Sequence, residues 1–125
     1  MSGVTLDAGA LIAHERGARN VELTIARALR TGDGIAIPAG VVAQVFRDGA
    51  RQARLMRLLD AERTEVVPLD HRAARIVGRI CAVSGAADVI DASVVLCARL
   101  RRHVVLTSDA ADLLRIDPGL RVVEV

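Results

Sequence analysis

Residues Asp91 to Asp109 read DASVVLCARLRRHVVLTSD, and this stretch decides the fold class. Extended back to Asp88, its first part carries apolar residues at helical spacing and closes on Arg99, Arg101 and Arg102, cations that favour the negative end of a helix. Past His103 the chain becomes a β-branched run, Val104 to Leu106, followed by Thr107-Ser108-Asp109. A helix joined so directly to a strand is one unit of a parallel sheet covered by helices.

The same alternation recurs on both sides of this unit. Upstream, strands are expected at Val4–Leu6, Ile35–Ile37 and Glu65–Val67. Between them lie a helical turn from Ala8, a helix at Asn20–Arg30, and a segment Ala39–Phe46 entered through Pro38. Asp48-Gly49 breaks that segment, a helix follows at Arg51–Leu59, and Asp70 is placed to cap a long helix ending at Ser84-Gly85. Downstream come a short helix, Ala110–Leu114, the turn Asp117-Pro118-Gly119 and a last strand, Leu120–Val125. The expected fold class is α/β: one domain over residues 1–125, with a central parallel sheet of about five strands flanked by helices.

Composition narrows the function. Hydrophobic residues make up 52% of the 125 and charged residues 26%, enough apolar side chain for a core and no signature of disorder. With one Phe and neither Trp nor Tyr, platforms for stacking nucleic-acid bases are nearly excluded, so any nucleic acid is held by its backbone. All 17 basic residues are Arg; the lack of Lys excludes Schiff-base chemistry and a phosphate-binding loop of the Gly-Lys type. A net charge of +2 names no partner. The longest uncharged run, Gly34 to Phe46, is too short to span a bilayer, and the N-terminus has no basic segment followed by an apolar one, so the cytoplasm is expected. Cys81 and Cys97 lack metal-type spacing and read as small buried apolar residues; His14, His71 and His103 are too scattered for zinc.

Open α/β sheets bind ligands outside the carboxyl ends of their strands, and acids recur there. Asp7 follows the first strand, Asp70 the third, and Asp109 the fourth, while Asp88 and Asp91 open a helix and Asp112 lies one helical turn past Asp109. Carboxylates converging at adjacent strand ends repel unless a cation lies between them, and Mg²⁺ or Mn²⁺ suits oxygen donors at a phosphate-ester site. Each acid also has a plainer role: Asp7, Asp70, Asp88 and Asp109 as helix caps, Asp112 as a first-turn acid.

VTLDAGALIA (Val4–Ala13), PAGVVAQV (Pro38–Val45), DASVVLCARLRRHVVLTSD (Asp91–Asp109) and SDAADL (Ser108–Leu113) together resemble the PIN domain, and most of all the VapC-type toxins of bacterial toxin–antitoxin modules. The resemblance runs over essentially the whole chain. It implies a Mg²⁺- or Mn²⁺-dependent endoribonuclease with Asp7, Asp91 and Asp109 as catalytic metal ligands; Asp88 and Asp112, each about one helical turn from one of these acids, are candidate substitute ligands, and Thr107 or Ser108 is placed to position water or Asp109. It also implies a homodimer and a small cognate antitoxin, for which the helices Val21–Leu29 and Val41–Leu59 are candidate surfaces. Arg47, Arg51, Arg54 and Arg57 would line one side of a helix that continued past Gly49, and Arg51, Arg54 and Arg57 do so in any case; that side either holds RNA phosphates or an acidic antitoxin segment or is a solvated helix face.

One position departs from the pattern. Where the family carries Glu this chain has Gln44, which offers a carbonyl oxygen but no charge. The alternative is therefore a degenerate PIN domain acting as a non-catalytic binding module. A phosphoacceptor receiver domain would also place acids after strands one and three, but it needs a late Lys that this chain lacks.

Overall fold

The computed structural model describes residues 3–125. In chain order these form β1 (Val4–Leu6), α1 (Ala8–Glu15), α2 (Arg19–Arg30), β2 (Ile35–Pro38), α3 (Ala39–Val45), α4 (Ala53–Leu59), β3 (Thr64–Val67), α5 (His71–Ser84), α6 (Val89–Arg101), β4 (Val104–Thr107), α7 (Ala110–Ile116) and β5 (Val122–Glu124). The strands make one fully parallel sheet in the order β3-β2-β1-β4-β5. β1 and β2 are fully buried, because helices cover both faces and no side of VTL or IAIP needs to be polar.

β1 pairs with β2 through Val4↔Ile35 and with β4 through Leu6↔Leu106. The chain thus leaves β1 toward one side of the sheet and later returns on the other. The crevice that opens between the carboxyl ends of β1 and β4 is where such folds bind ligands. Leu6, Leu11, Ile37, Val94, Val95 and Leu106, all at 0% exposure, make the sheet and the helices beside it one core.

The strands and helices expected from the sequence are present, with ends moved by a few residues. The difference that matters lies between α3 and α4. The Gln52 side chain accepts the N–H groups of Arg47 (2.7 Å) and Asp48 (3.0 Å) and donates to the Val45 carbonyl (3.0 Å), so the chain turns there instead of continuing as helix. Arg51 consequently sits on a turn, its Nε 3.8 Å from Asp48, and the expected row of Arg47, Arg51, Arg54 and Arg57 does not form along one helix. Cys81 is only half-buried, whereas Cys97 is buried as expected.

α5 and α6 meet at 108° across the short break after Ser84. Gly85, with φ +77°, ends α5 in the left-handed region that favours glycine. Of the 14 residues of α5 only Val77 is buried, so this helix lies largely on the surface. Among the described residues no single helix is long and apolar enough to cross a membrane.

Candidate acidic site at the strand ends

Asp7 leaves β1 and caps α1: its side chain accepts the Ala10 N–H at 2.9 Å. Its other oxygen accepts the hydroxyl of Thr107, at the end of β4. That same hydroxyl oxygen accepts the N–H of Asp109 at 2.8 Å, so one fully buried threonine ties the acid of β1 to the acid after β4. Burial pushes the Asp7 carboxyl above the ordinary range, with the Thr107 hydroxyl and the backbone N–H groups of Ala10 and Gly9 pulling it back. Asp7 is thus both the cap and the strand-end acid of the two sequence readings, since the two jobs use different oxygens.

Gly9, the second residue of α1, packs on the loop that carries Asp109. A Cβ at Gly9 would stand 1.8 Å from the Ser108 Oγ and 2.8 Å from its Cβ, which the structure cannot accommodate without moving that loop. Ser108 is exposed and makes no bond to either acid; its visible part in the site is this contact.

Asp88 is the N-cap of α6, its Oδ1 accepting the N–H groups of Ile90 (2.9 Å) and Asp91 (3.1 Å). Asp91 stands in the first turn with no hydrogen-bond donor on its carboxylate among the described residues. It is pushed up to about 6, first by burial and then by the negative charges of Asp88, Asp112, Asp7 and Asp109. Asp91 therefore feels four other carboxylates, and no cation is among the causes that shift it. Asp109 is exposed and raised chiefly by a side-chain hydrogen bond shared with Asp112. Asp112 also pairs with Arg115. Ser84, Gly85, Asp88, Asp91, Asp112 and Arg115 line a cleft of about 380 Å³. Among the described residues no three His, Cys, Asp or Glu side chains form a ready-made metal cage.

The remaining predicted residues lie elsewhere. Gln44 is exposed and lines a separate groove with Ile12, Glu15, Arg16, Val45 and Arg47. Arg47 donates to the carbonyls of Phe46 (2.6 Å) and Ala43 (3.1 Å). Arg54 lines a third groove, with His14, Glu22 and Arg57, where His14 Nδ1 lies 2.6 Å from Glu22 and its Nε2 faces the Arg54 carbonyl at 3.4 Å. Asp70 caps α5 through the Ala73 N–H at 2.8 Å. Gly9 went unremarked in the sequence, although a glycine two residues after a strand-end acid was a signal of close approach.

No protein-family model and no curated protein matches this sequence. Solved structures do. The chain is similar to one in FitAcB from Neisseria gonorrhoeae, at 19% identity over 95% of each chain with a TM-score of 0.58. It is similar to one in FitAB bound to an IR36 DNA fragment, at 16% identity over 97% of this chain and 94% of that one, TM-score 0.62. It is similar to one in VapBC2 from Rickettsia felis bound to a DNA fragment from their promoter, at 14% identity over 98% of each chain, TM-score 0.71. With its five-stranded parallel sheet and acids at the strand ends, the chain has the single-domain α/β fold of the VapC-type PIN domains that its sequence resembles.

Proposed function

We propose that this chain is a Mg²⁺- or Mn²⁺-dependent endoribonuclease, the toxin of a toxin–antitoxin pair, that hydrolyses RNA phosphodiester bonds in the cytoplasm. The observation that carries the reading is Asp91: a half-buried carboxyl raised to about 6 by burial and by four other carboxylates, of which Asp112 alone is paired with a cation, Arg115. Such a cluster lowers its own energy by taking up a divalent cation, and its oxygen donors suit Mg²⁺ or Mn²⁺. Asp7, Asp91 and Asp109 would hold the ion, with Asp88 and Asp112 beside them. When bound, the ion supplies charge stabilisation at the scissile phosphate and lowers the pKa of a water.

The chain's own groups set up that chemistry. Thr107 and the Ala10 N–H hold the Asp7 carboxylate at both oxygens, so it cannot rotate away when a ligand arrives. The Asp109 backbone is fixed by the same Thr107, while its exposed side chain shares a hydrogen bond with Asp112 of the cleft wall. Arg115, held by Asp112 at the rim, is positioned to meet phosphate charge. Similarity to chains of the FitAB and VapBC2 complexes supports a protein partner, and the homodimer implied by the sequence belongs to the same reading.

A second reading, a non-catalytic binding module, has its own observation: Gln44 is uncharged and lines a groove other than the acid cleft. Wild type, Asp7→Asn and Asp91→Asn incubated with a long structured RNA in Mn²⁺, Mg²⁺ or EDTA decide between them. Discrete cleavage by wild type alone, abolished by EDTA, supports the nuclease. No cleavage by any protein, with activity appearing in Gln44→Glu, supports the module. Equal cleavage by all of them means contamination and sinks the nuclease assignment.

A further inference from the structure

We propose that the outward face of α5 is a track for an RNA backbone, with Arg72, Arg75 and Arg79 holding successive phosphates beside the acidic cleft. The proposal rests on the ribonuclease reading for its ligand and adds the place where that ligand lies.

The sequence of α5, HRAARIVGRICAVS, carries Arg at spacings of three and four and no acid at all. That spacing puts the three guanidinium groups on one face, with rises of about 4.5 and 6 Å between them, steps comparable with the separation of phosphates along an RNA strand. All three residues are exposed, and among the described residues none of their side chains makes a hydrogen bond or ion pair. Two arginines near the end of α6 are committed elsewhere, Arg99 to Asp117 (2.8 Å) and Arg101 to Glu65 (2.9 Å). The sequence-predicted Arg54 and Arg57 of α4 line a groove with His14 and Glu22, away from the residues that line the acidic cleft.

Direction favours α5 as well. The helix starts beside the end of β3 and finishes at Ser84-Gly85, which are themselves part of the wall around Asp88 and Asp91. Arg79 stands about 7.5 Å along the axis from Ser84. A strand lying on the ridge reaches the end of α5 at the exposed Val83 and from there passes round the helix end to the cleft that Ser84 and Gly85 line. Planar guanidinium groups suit phosphate oxygens, and backbone contact is the mode left to a chain with no Trp or Tyr. An acidic polypeptide would also meet positive charge here; RNA is favoured because, on the ribonuclease reading, the carboxylates at the end of the ridge would hold the ion that acts on a phosphodiester and not on a peptide.

The test measures binding in EDTA, so that it does not depend on cleavage. Wild type, the triple variant Arg72→Gln/Arg75→Gln/Arg79→Gln, the triple Arg→Lys variant and a control, Arg27→Gln/Arg30→Gln on α2, are titrated against a labelled single-stranded RNA over a range of NaCl. Circular dichroism melts confirm that each variant folds. The Gln variant is expected to bind about 10- to 100-fold more weakly at low salt, with the slope of log K against log salt shallower by about two, three lost phosphate contacts at ~0.7 each. The Lys variant restores the slope, and the control keeps both values. Wild-type affinity and slope in the folded Gln variant overturn the track, as does a wild type that does not bind RNA. Loss of poly-glutamate binding with RNA binding intact overturns it in favour of an acidic protein. RNA that is bound through these arginines yet never cut in Mg²⁺ or Mn²⁺ removes the nuclease reading and leaves the track; RNA cut normally by the Gln variant with unchanged affinity does the reverse.

Discussion

Replacing Asp91 by Asn is expected to make the metal-free protein more stable. In the folded chain the Asp91 carboxyl is raised from 3.8 to about 6 by burial and by Asp88, Asp112, Asp7 and Asp109. Holding it ionised costs the folded state about 3 kcal/mol at ~1.4 kcal/mol per pKa unit, and solvent screening of a half-buried group brings this to about 1.5 to 2. Because the raised pKa means that the folded state binds a proton more tightly than the unfolded one, stability falls as pH rises from about 4 through about 6 and is flat above. Asn carries no charge at any of these pH values. Urea unfolding in EDTA should therefore show Asp91→Asn ahead of wild type by about 1.5 to 2 kcal/mol near neutral pH, the gap narrowing toward pH ~4. Adding Mg²⁺ or Mn²⁺ should stabilise wild type by mass action and the variant much less. A variant no more stable than wild type at neutral pH, or a gap that does not narrow with acid, would refute the claim that these carboxylates repel one another.

Thr107→Val keeps the shape of a fully buried side chain but removes the bond to Asp7 and the acceptor for the Asp109 N–H; urea unfolding should show a loss of about 2 to 4 kcal/mol, mostly regained with Thr107→Ser. Gly9→Ala forces a Cβ against Ser108 and should cost about 1 to 3 kcal/mol in thermal or urea melts, with partial recovery on adding Ser108→Gly. Gln44→Glu, at an exposed position, should leave stability within about 0.5 kcal/mol, while the nuclease reading expects cleavage in Mg²⁺ to rise; a gel-based RNA assay beside a melt checks both.

Where the structure and the sequence agree, the signals are short-range. Asp70 and Asp88 were readable as caps because a cap acts on N–H groups within three residues, Ala73 for one and Ile90 and Asp91 for the other. The break between α3 and α4 was visible at Asp48-Gly49, but the cause was not: Gln52 reaches back to Val45, Arg47 and Asp48, and so removes Arg51 from the helix that its spacing suggested. The ridge on α5 was open to the same periodicity argument as the arginines of α4, yet only the fold says which of the two helices ends at the acidic cleft.

Sequence alone determined the alternation of strands and helices, their order, and the acids that follow strands, because periodicity and capping act within a few residues. The tertiary structure decided which acids meet. Thr107 and Asp7 are 100 residues apart and touch because β4 returns to pair beside β1. Asp91 is perturbed by Asp7, Asp109 and Asp112 because α6 begins beside those strand ends. Gln44 lines another groove because α3 carries it toward α1. Such pairings depend on strand order and helix placement, set by burial of the whole core, and no local pattern in the chain encodes them.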